Sequence, residues 1–257
     1  MARPSAPPRS ILITGASSGL GEALAKAYAG PGVTLALCGR DGRRLQAVAE
    51  ACQALGAEAT AAVLDVTETG AMDRWIKAAD DARPLDLVIA NAGISAGTGG
   101  TDDPEAQARA IFAVNVTGVL NTIHPIVGRM QARRGGQIAL VSSVAAFRGL
   151  PGSPAYAASK AAVKCYGEGL RGRLAEDGVR VSVICPGFFD SRMTAVNRFP
   201  MPLIMPAERA AAIVKRGLAR DKARIAFPWP MVFLAWLFGA LPPAWSDPLL
   251  VRAPRKE

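Results

Sequence analysis

Short apolar runs alternate along this chain with longer segments in which apolar residues recur three and four apart. The runs at Ser10–Thr14, 33–38, 59–64, 85–90, 138–141 and 179–185 are rich in Val, Ile, Leu and Ala and carry few charges. Strands buried on both faces read this way. After the first run, Leu20, Leu24, Ala27 and Tyr28 fall at helical spacing, and a long helical pattern opens at Pro104. Six strands alternating with five helical patterns predict βαβ units with right-handed crossovers and a parallel sheet. The expected class is α/β, a single doubly wound domain with helices on both faces. Residues 223–227 are a candidate seventh strand.

Composition narrows the classes of function. Half of the 257 residues are hydrophobic and a fifth are charged, enough for one large folded core. The opening MARPSAPPRS has no apolar stretch and reads as a disordered tail over 1–9, with no signal peptide. Cys38, Cys52, Cys165 and Cys185 lack metal-site spacing and read as buried, reduced thiols of a cytoplasmic protein. The single histidine, His124, lies in an apolar helical run and reads as packed or capping. No metal site is expected, and zinc hydrolysis and Ser-His-Asp chemistry are disfavoured. The net charge of +9 gathers near the ends, in Arg3, Arg9, Lys215, Arg216, Arg220, Lys222, Arg224, Arg252, Arg255 and Lys256. No aromatics are interleaved there as a base-stacking platform requires, so no nucleic-acid partner is expected. A solvated basic surface, one that can face anionic lipid, is the better reading.

Candidate chemistry sits at the ends of the apolar runs. TGASSGLG follows the first, with Gly15, Gly19 and Gly21 at the turn and Ser17, Ser18 and Leu20 between them. Glycines let the backbone approach a pyrophosphate, and the helix N-terminus supplies free amides and a favourable dipole. The second run ends in Gly39-Arg40, where an NAD-selective site usually offers a carboxylate to the ribose. A guanidinium there suits a 2′-phosphate, with Arg43 and Arg44 one turn on and Asp41 adjacent. Expected, therefore, is NADP, with NAD second. Further along, Tyr156 and Lys160 lie four apart on a helical pattern, hence on one face. A neighbouring ammonium lowers a phenol's pKa toward the range an acid/base group needs. Ser143, at a strand end, can donate to a carbonyl oxygen at the same point.

Tyr156-Ala157-Ala158-Ser159-Lys160, with Ser143 thirteen residues upstream, resembles the active-site signature of the short-chain dehydrogenase/reductase family. Gly15-x3-Gly19-x-Gly21 is similar to that family's glycine-rich turn. Asp65-Val66 resembles its adenine-contacting pair, although Asp65 can also cap the next helix. Asn91-Ala92-Gly93 matches its strand-stabilising motif beside the ribose. Asn115 in FAVNVTG stands where its fourth catalytic residue stands, and as a helical Asn it needs a hydrogen-bond partner. Pro186, Gly187 and Ser191 in PGFFDSRMT resemble the segment facing the nicotinamide carboxamide, with Ser191 in place of the usual threonine. The resemblance covers about residues 9–195. It implies a Rossmann-type domain over 10–227 transferring hydride between NADP(H) and an alcohol/carbonyl pair. In that reading Tyr156 exchanges the proton, and Lys160 tunes it and holds the nicotinamide ribose. Ser143 polarises the substrate oxygen, and Asn115 holds a relay water. Two other readings stand beside it, a lyase or epimerase on the same fold and a non-catalytic NADP-binding regulatory protein.

Beyond Ala195 the resemblance thins. A glycine-rich loop is expected over 97–103, and residues 188–205 read as a substrate-covering loop and helix for an apolar substrate, or as ordinary packing over the cofactor. Residues 228–257 form an apolar extension, and 225–246 contain no charged residue. Prolines leave 231–241 as uninterrupted helix, roughly half a bilayer core in length, so it cannot span one. Packing on the domain or on a partner subunit of a soluble homodimer or homotetramer is the first reading of this segment. Peripheral membrane contact through 229–245, at the cytoplasmic face, is the second.

Overall fold

The computed structural model describes residues 7–95, 103–195 and 200–250. The loop expected over 97–103 lies outside these except for Asp103, as do most of the N-terminal tail, Arg252, Arg255 and Lys256, and part of the 188–205 cover. Seven strands form one sheet: β1 (Ser10–Thr14), β2 (Thr34–Gly39), β3 (Glu58–Val63), β4 (Leu87–Ala90), β5 (Gln137–Val141), β6 (Arg180–Pro186) and β7 (Arg224–Phe227). Every pairing is parallel and the order is β3-β2-β1-β4-β5-β6-β7. The candidate seventh strand is therefore present at the sheet edge.

Helices cover both faces: α1 (Gly19–Tyr28), α2 (Gly42–Ala54), α3 (Thr69–Ala82), α4 (Pro104–Phe112), α5 (Gly118–Ala132), α6 (Pro154–Leu174), α7 (Arg192–Ala195), α8 (Ala207–Ala219), α9 (Trp229–Ala240) and α10 (Pro243–Leu250). Alternation within single strands feeds two cores. Ile11 and Ile13 join Leu24, Val48 and Val214 on the side of α1, α2 and α8. Leu12, between them, joins Met72, Ile123 and Val163 on the side of α3, α5 and α6. The order in which strands are added reverses between β1 and β4, which opens a crevice at their carboxyl ends.

Several local expectations are corrected. β4 begins at Leu87 and not at 85, because the Leu85 N–H donates to Asp80 and the Asp86 side chain accepts from the Arg9 and Ser10 N–H groups. Asp65 caps no helix: its Oδ1 accepts from Thr67, and α3 starts later, after Glu68. His124 is neither packed nor capping, but exposed and hydrogen-bonded to the Tyr166 hydroxyl at 2.8 Å. Cys165 is exposed on the outer side of α6, whereas Cys38, Cys52 and Cys185 are buried; all four are free thiols. Pro230 does not delay α9, which starts at Trp229, since a proline in the first turn sacrifices no helical hydrogen bond.

Candidate active site

The crevice is a cleft of about 1450 Å³ running from the glycine turn to α9. At one end, Gly15 and Gly19 have φ of +65° and +57°, a left-handed region open at little cost to glycine. A Cβ on Gly15 would lie 2.7 Å from the Ala92 Cα, and one on Gly19 would lie 3.1 Å from the Ser191 Cβ. The backbone passes close here, and a side chain at either position would be strained. Ser18 is the N-cap of α1, and its side chain caps none of the first-turn amides. The helix N-terminus thus opens on the cleft with its donors uncapped by that side chain.

Gly15, Ser17, Ser18, Gly19, Leu20, Arg40, Asp65, Val66, Asn91, Ala92, Gly93, Ser143, Tyr156, Lys160, Pro186, Gly187 and Ser191 all line the cleft. Gly21 and Asn115 do not. A Cβ on Gly21 would fall 2.3 Å from the Gly15 carbonyl oxygen, so this glycine lets α1 lie against its own turn from behind. Asn115 is fully buried in a one-turn π-helical segment, Ala113–Thr117, that joins α4 to α5. Its Nδ2 donates to the Ile94 carbonyl at 2.9 Å and to Ser159 Oγ at 3.0 Å, and its Oδ1 accepts from the Ile94 N–H at 2.8 Å. Both amide hydrogens are committed, so the side chain fixes the loop after β4. A wide turn of this kind often marks a functional site, but the sequence pattern shows only an unbroken helix.

Asn91 also acts as a stitch. Its Nδ2 donates to the carbonyls of Thr14 (2.9 Å) and Gly15 (3.1 Å), tying the end of β4 to the end of β1. At the second strand end, Arg40 is exposed with Nη1 3.7 Å from Asp65 Oδ2. Arg44 pairs with Asp41 at 2.9 Å, and its buried Nε has no partner. Arg40, Asp41 and Arg44 line the cleft, and Arg43 does not. A guanidinium held there with a donor unspent fits an anionic group, and the residues of this end fit a dinucleotide.

At the other end, α6 carries the reactive groups. Ser153 precedes it and Pro154 occupies its first turn, which places Tyr156 and Lys160 one turn apart on the cleft side. Lys160 is buried, donates to the Val141 carbonyl at 3.0 Å and lies 5.8 Å from the centre of the Tyr156 ring. Burial pushes its pKa down to about 8. The Tyr156 phenol is pushed up by burial and pulled down by a hydrogen bond with Ser143. The sequence predicts that Lys160 lowers this phenol; in the structure burial is the larger influence, and Ser143 is the group that pulls the phenol down. Ser143 ends the β5 run and accepts from the Ala145 N–H at 3.1 Å, which fixes its hydroxyl at the mouth of a short helical turn, Val144–Phe147. No group of metal-ligating side chains occurs among the described residues.

Sequence reasoning missed the far wall. Arg148, Leu150, Met231, Leu234 and Phe238 line the cleft beyond Tyr156. For Met231, Leu234 and Phe238 the signal was the charge-free run at 225–246, which showed an apolar segment but not where it docks; Arg148 and Leu150 had none.

A family model described as short chain dehydrogenase matches residues 9–200. An uncharacterized oxidoreductase of Myxococcus xanthus is 41% identical over 249 residues, 96% of this chain and 97% of that one. A crystal structure of a short chain dehydrogenase from Mycobacterium paratuberculosis, bound to NAD, is 25% identical with a TM-score of 0.73. It covers 85% of this chain and 94% of its own. A short-chain dehydrogenase from Sphingobium yanoikuyae, in complex with NADPH, is 24% identical with a TM-score of 0.75. It covers 96% and 97%, and at that identity it bears on the fold alone.

Proposed function

The chain belongs to the short chain dehydrogenase family, and from that premise we infer that it transfers hydride between NADP(H) and an alcohol/carbonyl pair, reducing an apolar ketone or aldehyde. The observation that carries this is one cleft with two chemically distinct ends. Arg40 and Arg44 lie at one end, and Ser143, Tyr156 and Lys160 meet at the other.

Each residue has a physical task in this reading. Arg40 and Arg44 hold a 2′-phosphate by charge-assisted hydrogen bonds, a preference for NADP over NAD. The uncapped amides at Ser18, Gly19 and Leu20 take the pyrophosphate. Asp65-Val66, Asn91-Ala92-Gly93 and Pro186, Gly187 and Ser191 supply the remaining cofactor contacts. When bound, the nicotinamide supplies the hydride chemistry, and the protein positions and polarises. Tyr156 gives its phenolic proton to the substrate oxygen. A phenol held up by burial is protonated at neutral pH, the form that a reduction draws on. Ser143 donates a hydrogen bond to the same oxygen as negative charge grows on it. Lys160 is largely ammonium below about pH 8 and offsets charge left on the phenol. Asn115 holds the floor of the site by fixing Ile94 beside Gly93.

The same reading carries a cytoplasmic homodimer or homotetramer, which light scattering after gel filtration checks. The activity is tested by adding NADPH or NADH with a series of apolar aldehydes and ketones and following loss of the reduced-nicotinamide absorbance. Faster consumption with NADPH is expected. No consumption with either cofactor across the series would overturn the assignment.

A further inference from the structure

α9 is apolar around its whole circumference, and none of its twelve residues is buried. At 100° per residue, Met231, Ala235 and Phe238 share one face with Leu234 at its edge, and all four line the cleft. Trp229, Phe233, Trp236 and Leu237 share the opposite face. Trp229 is 76% exposed, Phe233 51% and Trp236 54%. Trp245, on α10, is 71% exposed.

The inner face is held against the wall of the cleft. A Cβ on Gly187 would lie 2.7 Å from Met231 Sδ, and one on Gly239 would lie 2.2 Å from the Phe147 carbonyl oxygen. α9 therefore rests on the turn after β6 and on the short turn that Ser143 begins. Arg148, one residue past that turn, donates to Ser246 and Asp247 of α10.

We propose that α9 lies in the membrane interface, so that one helix forms both the lipid-facing surface and the wall of the substrate cleft. The substrate class is then a carbonyl or alcohol dissolved in lipid that enters past Leu234; this last step rests on the function inferred above. A subunit interface would account for the outer face alone, whereas an apolar phase accounts for both faces of one helix. Tryptophan is the side chain suited to the headgroup level. Charge agrees. The chain carries +9, and the acids beside this surface, Glu168 and Asp247, are neutralised by Lys164, Arg224 and Arg148. Lys164 and Arg224 also stack on Phe147, in the groove shared with Trp229, Phe233 and Trp236.

The test is co-sedimentation of the full chain with vesicles of phosphatidylcholine and phosphatidylglycerol, with and without added salt. A Phe233→Ser/Trp236→Ser variant, changed only on the outer face, is compared. Salt-sensitive binding by the native chain is expected, weakened at least about tenfold in the variant. The variant should keep its turnover of a short, water-soluble carbonyl and lose it on a long-chain carbonyl held in vesicles. Tryptophan quenching by brominated lipid reads the same contact without any mutation. No vesicle binding or quenching, equal binding by the variant, or a variant whose only change is a smaller oligomer would overturn the proposal. Sedimentation needs no turnover, so a failure of the assigned activity shows up separately.

Discussion

Lys160 Nζ donates to the main-chain oxygen of Val141 at 3.0 Å, one residue beyond the last β4–β5 pair, Ala90–Leu140. β4 has ended there and leaves that carbonyl to the amine of α6. The bond anchors the ammonium in the floor of the cleft, under Tyr156. It also sets a conflict between folding and function, because the charge is buried.

The conflict predicts a pH-dependent stability difference. Burial lowers Lys160 from 10.5 to about 8. The unfolded chain therefore binds more protons between those values, and this group's contribution to stability rises with pH from about 8 to 10.5. Below about pH 8 the cost is complete, roughly 3 kcal/mol. In Lys160→Met that cost is absent at every pH. Thermal melts should show the native chain gaining on the variant as pH rises through this window. Parallel curves would mean that Lys160 titrates as it does in water.

Asn115→Ala should destabilise the chain by about 2–4 kcal/mol, because it strips partners from the Ile94 N–H and carbonyl in a buried site. Chemical denaturation measures this. The accompanying loss of activity should be reversed least by raising substrate, since the damage is to the floor beneath Lys160 and Gly93.

Arg40→Ala should weaken NADPH binding by about 1.5–3 kcal/mol, the range for hydrogen bonds to a charged group, and leave NADH nearly unchanged. Calorimetric titration of both cofactors distinguishes this from a structural role. Equal losses would place Arg40 in support of Asp65, 3.7 Å away, and not of a phosphate.

The sheet was legible because its interior strands are buried on both faces, so SILIT and most of its counterparts appear as apolar runs whatever they pair with, whereas the run at 59–64 forms the edge strand β3 and is largely exposed. Their parallel pairing was implied by the alternation of strands and helices, though not their order, and the glycine turn by its place between β1 and α1. Less legible was anything set by distant side chains. The start of β4 depends on Asp80 and Asp86, and no local pattern reports those bonds. Gly21 was grouped with Gly15 and Gly19 because spacing does not reveal which glycine faces the ligand and which faces its own turn. The π-helical segment at Asn115 left no trace, since one wide turn keeps the apolar stripe intact. The bond from Lys160 to Val141 was equally hidden, as was the burial that raises the Tyr156 phenol.

The central claim is that Tyr156 supplies the proton. NADPH consumption by Tyr156→Phe, measured beside NADPH affinity, tests it most directly. A fall in turnover of roughly two to four orders of magnitude is predicted, the usual worth of a positioned acid, with affinity for NADPH nearly unchanged because the substitution removes only a hydroxyl. Near-native turnover in Tyr156→Phe would contradict the account.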